Sequence, residues 1–309
     1  MSLTYPEALV VGLTQGVSEL FPVSSLGHSV LLPALIGGRW AEDLNVSAPE
    51  SPYLAFIVGL HVATALALLV FFRADWVRII AGLLTSVRDR TVSTPDQRLA
   101  WLIVIATIPV GITGLLLEHT FRTTLGKPVP AAVFLLVNGL LLLLGEKLRR
   151  TTDPEQGGAH PRRPAPPVDV RDAPLDLAAD RRLADLGTRD ALLVGSAQAL
   201  ALLPGISRSG VAMVAGLLRG LSHEDAARFS FLLATPVILA AGVLKLPDLA
   251  GPLGAGIRGQ VVAGSVVAGL AAYASVRWLV AWFSTRTLTP FAVYCLLAGG
   301  GSLTVLVIR

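Results

Sequence analysis

The chain is predicted to be an all-α polytopic integral membrane protein, with about six full transmembrane helices and two re-entrant helical hairpins in an inverted repeat. Three observations predict this class. Of the 309 residues, 53% are hydrophobic and only 15% are charged, a balance that soluble domains do not show. Apolar stretches near the membrane-spanning length of roughly 20 residues recur along the chain. Two further apolar stretches are each interrupted by a short polar run.

The first repeat is predicted over residues 1–148, and it begins with a re-entrant hairpin over residues 4–37. The hairpin is inferred because the apolar stretch is broken by the run Gln15-Gly-Val-Ser-Glu19-Leu-Phe-Pro-Val-Ser24-Ser25-Leu-Gly27-His28. Non-helical backbone at membrane depth is stable only where it is buried in protein or lines a wet cavity. Three spans are predicted after the hairpin, at Tyr53–Phe72, Leu99–Leu117 and Val129–Leu148.

A flexible cytoplasmic loop is predicted over residues 149–188, which are rich in Pro, Arg, Asp and Gly and lack apolar periodicity. Arginines are frequent in this loop and in the connection Val77–Arg98. Positive charge favours the cytoplasmic side of a membrane, so both connections are placed there.

The second repeat is predicted over residues 189–309. It begins with a re-entrant hairpin over residues 189–220, broken by Pro204-Gly205-Ile-Ser207-Arg208-Ser209-Gly210. Its three spans are Phe229–Leu246, Gln260–Phe283 and Leu288–Ile308. Counting spans from the cytoplasmic loop makes the two hairpins enter from opposite sides. In inverted repeats of this kind, the binding site lies where the two breaks meet.

The first break carries the residue types of a catalytic site. Gln15 and Glu19 are four residues apart and so lie on one face of a helix, with Glu19 just before Pro22. A carboxylate in this place is a candidate hard-cation ligand, for Mg²⁺ or Ca²⁺, or a proton acceptor; the alternative is a structural hydrogen bond. Ser25 and His28 follow. A hydroxyl near a base suggests a nucleophile, but serines before helices are commonly caps, and His28 or water are alternative nucleophiles.

The second break has the features of an anion site. Pro204 and Gly205 interrupt the helix, and the next helix would point its free N–H groups into the break. Arg208 adds a permanent charge whose planar fork matches phosphate oxygens. The predicted ligand therefore carries a phosphate.

The two runs together closely resemble those of the bacterial undecaprenyl-pyrophosphate phosphatases, also known as the bacitracin-resistance proteins, over nearly the whole chain. The resemblance implies hydrolysis of an isoprenyl diphosphate lipid to the monophosphate and inorganic phosphate, recycling the carrier for cell-wall polymers. It also implies a divalent cation and a site reached from the outer face of the cytoplasmic (inner) membrane.

Carried over residue by residue, the resemblance gives Glu19, Ser25, His28 and Arg208 catalytic roles and makes Glu19 the metal ligand. The predicted substrate-binding residues are Gln15, Ser24, Gly27, Gly205, Ser207 and Ser209. Gln15 departs from the family's commonest pattern, in which a first glutamate stands there, so Glu19 is the one carboxylate at the tip. A glutamine can offer a carbonyl oxygen but cannot act as a base at neutral pH.

Other interpretations are weighed against this one. A transporter or flippase for a lipid phosphate or another anion would have the same inverted repeats and an arginine, but it needs no nucleophile.

His61, Thr64 and Asn138 lie inside predicted spans and are interpreted as hydrogen-bonding across helices, with substrate contact as an alternative for His61. The net charge of +4 is explained by the cytoplasmic loops, so no nucleic acid is expected. Membrane lipids surround the chain, and the sequence leaves open whether it forms a homodimer.

Overall fold

The computed structural model describes residues 3–46, 52–152, 177–251 and 256–309. Every regular element in these residues is helical, and one of them, Gln198–Leu202, is a short 3₁₀ helix. The α-helices in chain order are α1 (Tyr5–Ser18), α2 (Ser25–Ile36), α3 (Arg39–Asp43), α4 (Pro52–Phe71), α5 (Arg73–Asp89), α6 (Pro95–Leu125), α7 (Pro128–Thr152), α8 (Leu177–Ala184), α9 (Thr188–Ala197), α10 (Arg208–Leu218), α11 (His223–Ala250), α12 (Arg258–Phe283) and α13 (Thr289–Ile308).

Six of the described helices are long and apolar enough to cross a membrane, namely α4, α6, α7, α11, α12 and α13. They coincide with the six predicted spans, and the predicted class of an all-α polytopic membrane protein is confirmed. The helix α6 is longer than the predicted span Leu99–Leu117. Its C-terminal end is stabilised by Arg122, which donates to Glu118 at 2.9 Å and to the Val46 carbonyl at 2.9 Å.

The first polar run forms a break between α1 and α2. Helix α1 begins with a capping box, in which Thr4 and Glu7 satisfy each other's backbone amides, and it ends at Ser18. Helix α2 is capped by Ser24, whose Oγ accepts from the Gly27 amide at 3.2 Å. Ser24 has φ +70°, a strained conformation for a residue with a side chain, and such strain is concentrated at functional sites.

The second polar run forms a break between the 3₁₀ helix Gln198–Leu202 and α10. The break contains Gly205, which has φ +115°, a conformation that favours glycine. Helix α10 is capped by Ser207, whose Oγ accepts from the Gly210 amide at 3.1 Å. Both breaks therefore end in a serine that caps the following helix.

The helices of the two halves pack in matching pairs. Helix α1 of the first half packs along α12 of the second, and α9 of the second packs along α6 of the first. Helices α7 and α13 pack antiparallel to each other, so that as the residue number rises along α7 the number of its partner in α13 falls. A Cβ on Gly139 would meet Ala292 and Leu296, and one on Gly299 would meet Ala132 and Leu136. This exchange of partners is what two related halves of opposite orientation would produce.

The interpretation of residues 149–188 as a loop is wrong at both ends. Helix α7 continues to Thr152, and α8 occupies Leu177–Ala184. Helix α8 is held by partners that are distant in sequence: Asp180 is paired with Arg78 and accepts from Arg228 Nε at 3.0 Å, while Leu183 is fully buried. Residues 153–176 of the predicted loop lie outside the described residues.

Candidate functional site

The centre of the site is the side-chain carboxylate of Glu19, the C-cap residue of α1 at the first break. Its side chain is almost fully buried, with 5% of its area exposed. Gln15 Nε2 donates to Glu19 Oε2 at 3.0 Å, so the two residues share a face of α1 as predicted. Ser25 Oγ, at the first position of α2, donates to the same oxygen at 2.5 Å. The break therefore points the hydroxyl of one helix at the carboxylate of the other.

Arg208 brings the second break to this carboxylate. As the first residue of α10, it pairs through Nη2 with Glu19 Oε1, and its Nη1 donates to the carbonyl of Ala234 in α11 at 3.1 Å. A buried carboxylate needs a charged partner, and Arg208 supplies it from the opposite half of the chain. The side chains that sequence analysis assigned to a base and to a phosphate-binding cation thus form one ion pair.

His61 is a member of the site that sequence analysis interpreted chiefly as a structural residue. Its Nε2 lies 3.2 Å from Glu19 Oε2, and its Nδ1 lies 2.8 Å from the carbonyl oxygen of Ile57 in its own helix, α4. Thr64, which was expected to bond across helices, instead donates to the His61 carbonyl at 2.7 Å. An intramembrane histidine was the available signal for His61, but its partner depends on how α4 packs beside α1.

His28 follows Ser25 by three residues and so lies near it on the surface of α2. Its side chain does not bond to Glu19; Nδ1 lies 2.7 Å from the Ser24 carbonyl oxygen and Nε2 lies 2.7 Å from the hydroxyl of Tyr294. Tyr294 belongs to α13, and sequence analysis gave it no role. The structure therefore divides the first run into a carboxylate–serine pair and a separate histidine–tyrosine pair.

The two breaks are in direct contact. A Cβ added to Gly27 would lie 2.9 Å from the Cα of Gly205. The first break and the second break, called the first and second tips below, therefore approach each other as closely as only glycine permits. The hydroxyl of Ser209 donates to the carbonyl of Phe21 at 3.3 Å, and Ser207 Oγ lies 3.0 Å from Ser209 Oγ. These hydroxyls, predicted to bind phosphate, here connect the second tip to the first.

Asn138, in the middle of α7, links both breaks through one buried amide. Its Nδ2 donates to the Pro22 carbonyl at 3.0 Å, and its Oδ1 accepts from the Ser207 amide at 2.9 Å. The predicted hydrogen bonding across helices is confirmed for this residue. Its effect is to fix the position of one tip relative to the other.

The side chains around Glu19 include oxygen ligands that fit a hard cation. Among the described residues there is no group of three or more His, Cys, Asp or Glu side chains able to hold a metal. Gln15 Oε1, however, is buried and has no hydrogen-bond partner in the described part of the chain. An unpaired carbonyl oxygen next to a carboxylate offers two oxygen ligands, which suits a Mg²⁺ or Ca²⁺ ion that also binds phosphate oxygens.

An apolar cavity of about 190 Å³ lies between α6 and the second hairpin. One lining residue, Leu203, directly precedes Pro204 of the second break. Two others, Leu200 and Leu117, are partly exposed. The cavity is lined by Thr113, Leu117, Phe121, Ser196, Ala199, Leu200, Leu202 and Leu203. It is smaller than the ~300–1,000 Å³ of pockets that enclose a whole ligand, so it can hold only part of a long chain.

Comparison with known proteins places the whole site within a region of similarity. A family model described as bacitracin resistance protein BacA matches residues 8–301. A protein named undecaprenyl-diphosphatase from Mycolicibacterium paratuberculosis is 66% identical over 307 residues, covering 99% of each chain. Undecaprenyl-diphosphatase 1 of Frankia casuarinae is 58% identical, covering 96% of this chain and 97% of its own. Undecaprenyl-diphosphatase 2 of Chromobacterium violaceum is 44% identical, covering 95% of each chain.

Proposed function

We propose, from the premise that the chain belongs to the bacitracin resistance protein BacA family, that it hydrolyses undecaprenyl diphosphate. The products are undecaprenyl phosphate and inorganic phosphate, and the reaction recycles the lipid carrier for cell-wall polymer synthesis. Relatives at 58% and 66% identity over nearly the full chain carry the name undecaprenyl-diphosphatase. This activity requires a site that binds a diphosphate and attacks its terminal phosphorus.

One observation carries the proposal: Ser25 and Arg208 share the Glu19 carboxylate. Ser25 Oγ donates to Oε2 at 2.5 Å, and Arg208 pairs with Oε1. A phosphate held by the Arg208 guanidinium would therefore lie beside the Ser25 hydroxyl. Phosphoryl transfer depends mainly on positioning and on neutralising charge, and this arrangement supplies both together with a base.

In the proposed mechanism, Ser25 Oγ attacks the terminal phosphorus while its proton passes to Glu19. The bond from that phosphorus to the bridging oxygen breaks, and the lipid monophosphate leaves. A water molecule then attacks the phosphoserine and its proton passes to His28, while the bond from phosphorus to Ser25 Oγ breaks and the proton held by Glu19 returns to Oγ. Inorganic phosphate is released, and His28 gives up its proton to the departing phosphate or to solvent. Arg208 neutralises the oxygens of the transferred group in both steps.

Sequence analysis left Ser25, His28 and water open as nucleophiles, and the geometry favours Ser25. A nucleophilic hydroxyl needs a base within about 2.6–3.2 Å, and Ser25 has one in Glu19. The His28 nitrogens bond to Ser24 and Tyr294 instead. His28 is accordingly given the second proton transfer.

A divalent cation, Mg²⁺ or Ca²⁺, is proposed to bind at the first tip. Glu19 and the unpaired Gln15 Oε1 would hold it, together with oxygens of the diphosphate. When bound, the ion would neutralise diphosphate charge. The basic connections support an orientation in which they face the cytoplasm, and the family resemblance supports placement in the cytoplasmic membrane with the site open to the outer face.

Phosphate release tests the function. The purified chain in detergent is expected to release inorganic phosphate from a C55 prenyl diphosphate, and a chelator in excess is expected to stop release, with Mg²⁺ or Ca²⁺ restoring it. A folded preparation that binds the lipid without releasing phosphate would contradict the phosphatase proposal. Release that persists in the chelator would contradict only the cation.

The apolar cavity beside the second tip is proposed to hold a segment of the prenyl chain, since Leu203 connects it directly to the break that carries Arg208. Replacing Leu117 with tryptophan is expected to raise KM for the C55 substrate about tenfold, because displacing a buried hydrocarbon segment costs ~1–2 kcal/mol. kcat should stay within about twofold.

The matched control is Leu116→Trp, since Leu116 is the neighbouring residue of α6, is 72% exposed and does not line the cavity. The measurement is the steady-state KM and kcat of both variants in the same detergent. Equal KM values for the two variants would place the prenyl chain elsewhere.

A further inference from the structure

Tyr294 lies against His28 although the two residues are far apart in the chain. The two rings are stacked, with centroids 5.8 Å apart and planes 10° apart, and the Tyr294 hydroxyl is 2.7 Å from His28 Nε2. The phenol is not a core residue, since 45% of Tyr294 is exposed, as is 45% of its neighbour Val293. Packing alone therefore does not account for a tyrosine at this position.

The hydrogen bonds of His28 define its tautomer. Nδ1 faces the Ser24 carbonyl oxygen at 2.7 Å, and a carbonyl can only accept, so Nδ1 carries a proton. Nε2 faces a hydroxyl, which can donate. A neutral ring with its proton on Nδ1 and its lone pair on Nε2 satisfies both contacts, and the partner of one nitrogen sets the state of the other.

We propose that Tyr294 is a positioning residue for His28: its hydroxyl holds the ring as the neutral Nδ1–H tautomer, with Nε2 presented as a proton acceptor. This inference rests on the proposed function, in which His28 takes a proton from the water that hydrolyses the phosphoserine. For that step the Tyr294 hydroxyl leaves Nε2 and donates to a phosphate oxygen. The second half of the chain would thus supply both the Arg208 guanidinium that pairs with Glu19 and the Tyr294 hydroxyl that orients His28.

The tautomer itself can be measured. The chain has five histidines, so protein labelled with ¹⁵N-histidine gives few side-chain signals, and a His28→Asn variant identifies those of His28. In the unaltered protein we expect His28 to be neutral with a protonated Nδ1. In Tyr294→Phe, which keeps the ring and removes the hydroxyl, the Ser24 carbonyl still holds the proton on Nδ1, and we expect Nε2 to be protonated at a higher pH, because the donor that stabilised the neutral form is gone.

Kinetics provide the second readout. Tyr294→Phe is expected to lower kcat about five- to tenfold, the effect of one lost hydrogen bond, with KM for the C55 substrate within about twofold. The control is Tyr273→Phe, since Tyr273 of α12 is also partly exposed and packs on Phe71; both its spectrum and its kcat should be unchanged.

Two results would overturn the inference: His28 signals identical in Tyr294→Phe and the unaltered protein, or a fall in kcat that Tyr273→Phe reproduces. Failure of the proposed function looks different. If the unaltered protein releases no phosphate, or if His28→Asn is fully active, the role given to His28 is wrong, while the ¹⁵N spectra still decide whether Tyr294 fixes its tautomer.

Discussion

Replacing Glu19 with glutamine is expected to lower kcat for phosphate release by about 10²–10⁴-fold, the range for loss of a general base. The amide keeps the shape of the side chain and an oxygen for Arg208, but it cannot take the Ser25 proton that Oε2 is placed to receive at 2.5 Å. The measurement is single-turnover phosphate release at saturating substrate, with thermal unfolding in detergent as a check on folding.

Glu7→Gln is the matched control, because Glu7 is also a buried glutamate of α1 and acts in the capping box at the other end of that helix. It is expected to lower the melting temperature without reducing kcat. A Glu19→Gln protein with more than about a tenth of the original kcat would show that Glu19 is not the base, and the attacking group would then have to be sought outside the Ser25–Glu19 pair.

Replacing Arg208 with lysine is expected to lower kcat by about 10²–10³-fold, the cost of removing one donor that stabilises the transition state. Lysine retains the positive charge but not the planar fork, which here bonds to Glu19 and to the Ala234 carbonyl at once. A point charge on a flexible stem cannot hold both and also present donors to a phosphate.

The control for this variant is Arg228→Lys. Arg228 is a buried arginine of α11 that pairs with Asp75 at 3.0 Å and with Asp180 at 3.0 Å, away from Glu19. Its replacement is expected to reduce stability and to leave kcat of the folded protein within about threefold. If both arginine variants lose kcat equally, the effect of Arg208 is structural and its role in binding phosphate is contradicted.

Local spacing was enough to predict the first-tip geometry. Gln15 and Glu19 are one helical turn apart, and the hydrogen bond between them follows from that spacing. The meeting of the two tips was also predictable, since polar backbone inside a membrane must be enclosed, and the contact of Gly27 with Gly205 agrees with that requirement.

The partners of His61 and Tyr294 were not predictable in this way. Each residue lies on a long apolar helix, and nothing in the spacing within α4 or α13 indicates which residues of α1 and α2 it meets. Helix α8 was missed for a similar reason, because its Asp180 is stabilised by Arg78 and Arg228, which come from other elements. Contacts between helices that are distant in the chain depend on how the helices pack. The spacing of residues within one helix does not reveal that packing.

The Asn138 amide has a consequence for the choice between chemistry and transport. A carrier with inverted repeats works by rocking one half against the other around its site, and the two tips would separate and rejoin in each cycle. Here one buried side chain of the first half bonds to Pro22 of the first tip and to Ser207 of the second, so each such movement would break the bond to Ser207 and leave two buried polar groups unpaired. Hydrolysis requires no such separation, so the Asn138 link is compatible with chemistry at a fixed site and costly for a carrier.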